Sequence, residues 1–362
     1  MTGLQPRPGV LDIARYVPGH VRLESAGRLV NLASNESSLG PSPRAVAAYR
    51  EAAETLNRYP DADSVELREA LARQHGIDAA RIVCGTGSDE LLGLLGRAYA
   101  GPGDEILFTE HCFAMYPIVT RTAGATPVIA PETELTADVD ALLERVSERT
   151  RVVFLANPNN PTGTFLDRDE VRRLHAGLPP EALLVLDAAY AEFVARNDYD
   201  PGLGLVEAHD NVVMCRTFSK IYGLAGLRVG WAYCPPGVAD VLNRVRNPFN
   251  VNAAALRAAT AALEDVAHTD RARTLNDILL PWFAGECARL GLTVNPSIAN
   301  FVLVRFPDEE RRNAAAAYER LLSRGIIARR VANYGLPEWL RFSIGSEEEM
   351  RIVVEALADF LA

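Results

Sequence analysis

The sequence predicts an α/β protein: a mostly parallel sheet in a three-layer α/β/α arrangement, followed by a smaller α+β unit. Three observations carry this. Short apolar runs alternate with longer amphipathic ones from about residue 64 to 235. Glycine- and proline-rich loops follow the apolar runs, where open α/β sheets hold their ligands. After Pro248 the texture changes to long helical patterns around two further apolar runs.

Taken in order, the first 30 residues have several prolines and glycines and little periodicity, which suits an arm packed on another surface. Residues 81–84, 105–108, 152–155, 183–186, 212–215 and 229–233 read as strands. Residues 89–99, 113–123 and 167–176 read as the intervening helices, with apolar side chains at helical spacing. Beyond Pro248, residues 251–267 and 271–290 read as helices. Residues 300–306 and 339–344 read as strands flanking another helix, which an alanine run at 314–317 suits.

Composition narrows the function. A chain of 362 residues is too long for one ordinary core and suits about two domains. Net charge is −10 with basic residues scattered, which argues against a nucleic-acid or anionic membrane surface. No signal peptide and no apolar span of membrane length is visible. The five cysteines are widely spaced without a C-x-x-C pair, so they read as buried thiols of a cytoplasmic protein. The six histidines form no H-x-x-x-H pair, and no metal site is expected.

Four motifs carry chemistry. Lys220 stands among Thr217, Ser219 and Gly223, with Arg228 eight residues later. Partial desolvation in such a setting favours the neutral, nucleophilic amine; the alternative is a surface lysine on a glycine-rich loop. Gly85-Thr86-Gly87-Ser88-Asp89-Glu90 joins a strand to a helix whose first N–H groups suit an anion, or it is a loop capped by Asp89. The turn from Asn157 to Gly163 is stiffened by Pro158 and Pro161 and aims the Asn160 amide, or serves only as a turn. Asp187 ends an apolar strand and there needs a cationic or N–H partner; a cap or salt bridge is the alternative. Tyr190 follows three residues later, and Arg341 lies inside the apolar run 340–344, where it needs an anion or an ion pair.

In this order the motifs resemble those of the fold type I pyridoxal-phosphate-dependent aminotransferases. The likeness spans nearly the whole chain. It runs through Asn31 to Glu36, Arg58-Tyr59-Pro60, Gly87 to Glu90, Asn157 to Gly163, Asp187 to Tyr190, Thr217 to Arg228, Pro248 to Val251, Ala299-Asn300-Phe301 and Tyr334 to Pro337. The resemblance implies an N-terminal arm over 1–30, a large cofactor-binding domain over 45–250, and a small domain from 31–44 plus 251–362.

The resemblance also implies roles. Lys220 looks like the catalytic lysine that forms a Schiff base with pyridoxal 5'-phosphate. Asp187 would face the ring nitrogen, Asn160 and Tyr190 the ring hydroxyl, and Phe113 the ring face. Ser88, Asp89, Thr217, Ser219 and Arg228 would hold the cofactor phosphate, with Tyr59 reaching in from a second subunit. That last role implies a homodimer with shared active sites. Tyr16, Asn35, Arg329 and Arg341 would meet the substrate. The implied reaction moves an amino group between histidinol phosphate and 2-oxoglutarate, glutamate being the partner amine, in histidine biosynthesis. Aromatic amino-acid transamination and threonine-phosphate decarboxylation on the same scaffold are the rivals. Ala188 stands where the family often has glutamate, and Ser37-Ser38 and Thr86 also depart from the common pattern.

Overall fold

The computed structural model describes residues 6–15 and 29–362. Seven strands build the main sheet: β1 (Ile82–Gly85), β2 (Glu105–Thr109), β3 (Thr126–Ala130), β4 (Thr150–Ala156), β5 (Leu183–Asp187), β6 (Val212–Thr217) and β7 (Gly230–Tyr233). Their spatial order is β1-β7-β6-β5-β4-β2-β3. All neighbours run parallel except β7, which is antiparallel to both β1 and β6.

Alternation along each central strand makes the three layers. In β5, Leu184 and Leu186 enter one apolar core while Leu183 and Val185 enter the other. In β4, Val153 and Leu155 face the first, and Val152 and Phe154 the second. A strand buried on both faces must read as a continuous apolar run, which is why these strands were visible in the sequence. β3 lies at the sheet's edge and is partly exposed, so it tolerates Pro127.

Helices cover both faces: α1 (Pro43–Ala52), α2 (Val65–His75), α3 (Ser88–Tyr99), α4 (Met115–Ala123), α5 (Arg168–Ala176), α6 (Ala253–Glu264) and α7 (Val266–Arg289) are the ones that matter below. Asp167 caps α5 by accepting from the N–H groups of Asp169 and Glu170 at 3.0 and 2.9 Å. The stretch 113–123, read as one helix, begins its helix only at Met115. Residues 111–114 form a turn instead, with Tyr116 N–H donating to Phe113 O at 3.0 Å, and this leaves Phe113 at the strand end. The break between the two long helices falls at Asp265 rather than between 267 and 271, because Asp265 leaves the helical region (φ −89°, ψ 63°).

A second sheet has the order β8-β9-β11-β10, formed by β8 (Thr293–Val294), β9 (Phe301–Arg305), β10 (Arg329–Arg330) and β11 (Trp339–Ser343). Its apolar core holds Leu279, Phe283 and Cys287 of α7, whereas Ala272 of the same helix packs in the first sheet's core with α6. One long helix thus belongs to both cores. Val30–Asn31 pairs in parallel with Ile326–Ile327, so the chain preceding α1 docks on the C-terminal part.

Phe283 is fully buried and meets Phe342 at a centroid distance of 5.6 Å. Phe283→Ala should lower the unfolding free energy by about 3–5 kcal/mol, read by urea denaturation. A loss below about 1 kcal/mol would mean that α7 does not anchor the second sheet.

Candidate active site

The parallel strands of the first sheet deliver their carboxyl ends to one place. β1 ends at Gly85 and leads into α3; β4 leads into the Asn157 turn; β5 ends at Asp187; β6 ends at Thr217, three residues before Lys220. There a cavity of about 220 Å³ opens between the two sheets. Thirteen of the residues predicted from sequence line it. Ser88, Asp89, Thr217, Ser219 and Arg228 stand at one end, and Phe113, Asp187 and Lys220 also line it. Asn35, Asn160, Tyr190, Arg329 and Arg341 complete the set.

The anion end is built by close approach. Gly87 (φ +80°) stands at the N-terminus of α3, and a Cβ there would meet the Arg228 guanidinium at 2.4 Å. A Cβ on Gly230 of β7 would lie 2.4 Å from the Ser88 nitrogen. Glycine at both positions lets backbone, helix terminus and guanidinium converge. Arg228 donates to Ser219 Oγ at 3.1 Å and pairs with Asp89 at 3.2 Å. Thr217 Oγ1 donates to Ser219 Oγ at 3.0 Å and accepts from the Ser219 N–H at 3.1 Å. Asp89 is therefore an ion-pair partner of Arg228, while Gly87 occupies the cap position without a side-chain bond.

Asp187 is the unusual carboxylate. Its Oδ2 accepts from the Tyr116 hydroxyl at 3.1 Å, while its buried Oδ1 has no hydrogen-bond partner. Burial raises its pKa to about 7, despite the Tyr116 hydrogen bond. A cation brought to Oδ1 would reverse that shift. Tyr116 is the group that sequence reasoning missed. It is fully buried, stacks on Phe154 at 4.8 Å and meets Phe113 edge-on at 5.9 Å. Its spacing of three from Phe113 was the available signal, since a helical turn would place both rings on one face.

Lys220 Nζ donates to Ser34 O at 3.1 Å and lies 5.7 Å from the Tyr190 ring centroid. Desolvation, then the positive charge of Arg341, lowers its pKa to about 8. Across the cavity, Arg341 donates to Asn160 Oδ1, and to Ala33 O at 2.7 Å. Asn35 (φ +54°) donates from its amide to the Tyr190 hydroxyl at 2.9 Å. Tyr334, also unassigned from sequence, lines the cavity beside Arg329.

Two predicted residues are not gathered here. Tyr59 stands on the surface at 82% exposure, stacked on Phe249 at 4.6 Å. Tyr16 lies outside the described residues. The arrangement accepts a ligand with an anionic group at one end, a ring cation at Asp187 and an electrophilic carbon within reach of a low-pKa amine.

Comparison with known proteins gives the family. Residues 28–357 match the family described as aminotransferase class I and II. A histidinol-phosphate aminotransferase of Paramagnetospirillum magneticum is 57% identical, the alignment covering 100% of this chain and 99% of that one. Its counterpart from Rhodospirillum centenum is 56% identical over the same shares. The crystal structure of histidinol-phosphate aminotransferase from Sinorhizobium meliloti, in complex with pyridoxal 5'-phosphate, superposes with a TM-score of 0.88 at 29% identity, covering 99% of this chain and 98% of that one.

The lowered amine pKa yields a direct expectation. Borohydride trapping of pyridoxal phosphate on the cofactor-free protein should modify Lys220. Its initial rate should rise with pH to half-maximum near the amine's value of about 8, because only the neutral amine attacks. Peptide mapping identifies the site. A half-maximum near 10, or label on the α-amino terminus in place of Lys220, the one lysine of the sequence, would contradict the geometry.

Proposed function

The chain belongs to the class I and II aminotransferases, and on that premise we propose that it moves an amino group between histidinol phosphate and 2-oxoglutarate, with pyridoxal 5'-phosphate as cofactor. The substrate reading is supported by identities of 51–57% over nearly the full chain with relatives of that name. The single observation that carries the chemistry is Lys220, a desolvated amine between an anion cradle and a buried carboxylate.

The cavity fits the cofactor. The partnerless Oδ1 of Asp187 suits a protonated pyridine nitrogen, and the glycine-lined cradle at Ser88 and Arg228 suits a phosphate. Ser88 and Asp89 would supply N–H groups, with Thr217, Ser219 and Arg228 completing that end. Asn160 and Tyr190 would meet the ring hydroxyl, and Phe113 the ring face. Bound there, pyridoxal phosphate supplies an aldehyde for the incoming amine and a ring that withdraws electrons from the adjacent carbon.

The chain's own groups do the rest. Asp187, ionised by the ring cation, keeps that nitrogen protonated. Lys220 Nζ would take the proton from the substrate carbon bearing the amine and deliver it to the carbon that was the cofactor's aldehyde, as general base and then acid. Arg341 and Arg329 line the cavity and would hold the substrate's anionic groups, a task suited to planar guanidinium forks. Asn35 orients Tyr190 through its 2.9 Å hydrogen bond. Tyr16 belongs to the proposed substrate contacts by motif.

The reading extends to assembly and location. We place Tyr59 at a second subunit's phosphate in a homodimer. Its exposed ring stacks on the exposed Phe249, an apolar pair that a second copy would cover. Five buried free thiols suit the reducing cytoplasm. Among the described residues no helix is long and apolar enough to cross a membrane.

A donor panel on the purified holoenzyme tests the substrate. Histidinol phosphate should exceed phenylalanine in kcat/KM with 2-oxoglutarate by at least about tenfold, the scale of one charged contact; preference for phenylalanine would make this an aromatic aminotransferase. Lys220→Ala should lower turnover by more than about 10⁴-fold, and retention of activity would remove the lysine from the mechanism. Arg341→Ala should raise KM for both oxyanion substrates by roughly 10–100-fold. An effect on only one of them would show that the two anions use different sites.

A further inference from the structure

Several hydrogen bonds join the strand ends of the first sheet to the part of the chain that carries the second sheet, and two of them involve residues that line the cavity. One is the Arg341–Asn160 contact, which any anion arriving at Arg341 must compete with. The other uses His111, the second residue beyond β2, which no step above employs. Its ring Nδ1 lies 2.6 Å from the main-chain oxygen of Tyr334, and a carbonyl accepts only, so Nδ1 carries the hydrogen. This tie ends on a main-chain carbonyl and involves neither of the cavity's substrate-side guanidinium groups.

His111 is itself fixed from both sides. Its backbone N–H donates to Glu132 Oε1 at 3.2 Å, and its carbonyl accepts from the Asn159 side-chain amide at 2.9 Å. Asn159 also donates to Thr162 Oγ1 at 2.9 Å, inside the turn that presents Asn160. The imidazole is buried at 8% exposure. Gly335 (φ +79°) follows Tyr334, and a Cβ there would stand 3.4 Å from His111 Cε1. The Tyr334–Gly335 segment therefore rests directly on the imidazole. Tyr334 in turn lines the cavity with Arg329 and Arg341, and none of the three shares a hydrogen bond given above with the cradle residues Ser88, Asp89, Thr217, Ser219 and Arg228.

We propose that His111 is a positioning residue for substrate recognition: its Nδ1–H holds the Tyr334 main chain, and so fixes the wall of the cavity that meets the substrate rather than the cofactor. The inference rests on the aminotransferase reading of the same site. Loss of the tether leaves the cradle, Asp187 and Lys220 in place and frees the Tyr334 wall to shift. Substrate binding weakens while the chemical step changes little, which is the signature of lost ground-state positioning.

The test uses holoenzyme and three proteins: wild type, His111→Ala and His111→Asn. Asparagine puts an amide nitrogen where Nδ1 stands, so it restores the donor without the ring. His111→Ala should raise KM for the amino donor about tenfold, with kcat within about threefold and the affinity for pyridoxal phosphate within about twofold, as expected for one lost hydrogen bond. His111→Asn should recover most of the KM. Four results would overturn the proposal: an unchanged KM in His111→Ala, an equal loss of cofactor affinity, an Asn variant as impaired as Ala, or failure of both variants to fold. Wild-type activity on the donor panel is measured first, so an error in the substrate reading shows there, whereas the ratio between variants uses whichever donor wild type prefers.

Discussion

One carboxylate with an unpartnered oxygen organises the site. Asp187 ends a strand whose neighbours are apolar on both faces, so solvent cannot pay its hydration cost. Tyr116 satisfies one oxygen and leaves the other open. The open oxygen faces the cavity's residues and fits a cationic donor, such as the protonated ring nitrogen of the proposed cofactor. The rest of the cavity follows from placing that ring: an anion cradle at one end, an amine at the reacting side, and guanidinium groups beyond.

The cradle and the carboxylate are held by different kinds of force. The cradle depends on the absence of atoms, because Gly87 and Gly230 admit Arg228 and the start of α3 to distances that a methyl group forbids. The carboxylate depends on packing, through Tyr116 wedged against Phe154 in the second apolar core. The recognition end depends on ties between sheets. Ile298 N–H donates to Gly163 O at 3.0 Å, and Asn295 donates to Thr162 O at 2.8 Å. The proline-stiffened turn is thus gripped from both sheets, which gives a physical reason for its stiffness.

Much of this was legible in the sequence, for an identifiable reason. Central parallel strands must be apolar throughout, and their loops must carry the ligand groups, so Gly87, Asn160, Asp187 and Lys220 stood out by position. What escaped were contacts that cross between elements. Tyr116 reads as an ordinary core residue of α4, and only the fold aims its hydroxyl at Asp187. His111 reads as a polar residue after β2, and only the second sheet brings Tyr334 against it. Asp89 looked like a cap because aspartate favours that role, but Gly87 stands one position before the helix and leaves Asp89 to Arg228. The helix break at Asp265 has no proline or glycine to announce it.

The two clusters of positive charge also act on the amine between them. After burial, Arg341 is the largest cause lowering the Lys220 pKa, and Arg228 adds to it. An anion bound at either arginine offsets that charge and raises the amine's affinity for a proton. Ligand arrival therefore makes Lys220 a stronger base and holds more of it as the ammonium at a given pH. Attack on an aldehyde and removal of a proton from carbon both use the neutral amine, so burial and the two arginines, which favour that form, serve one lysine in both roles.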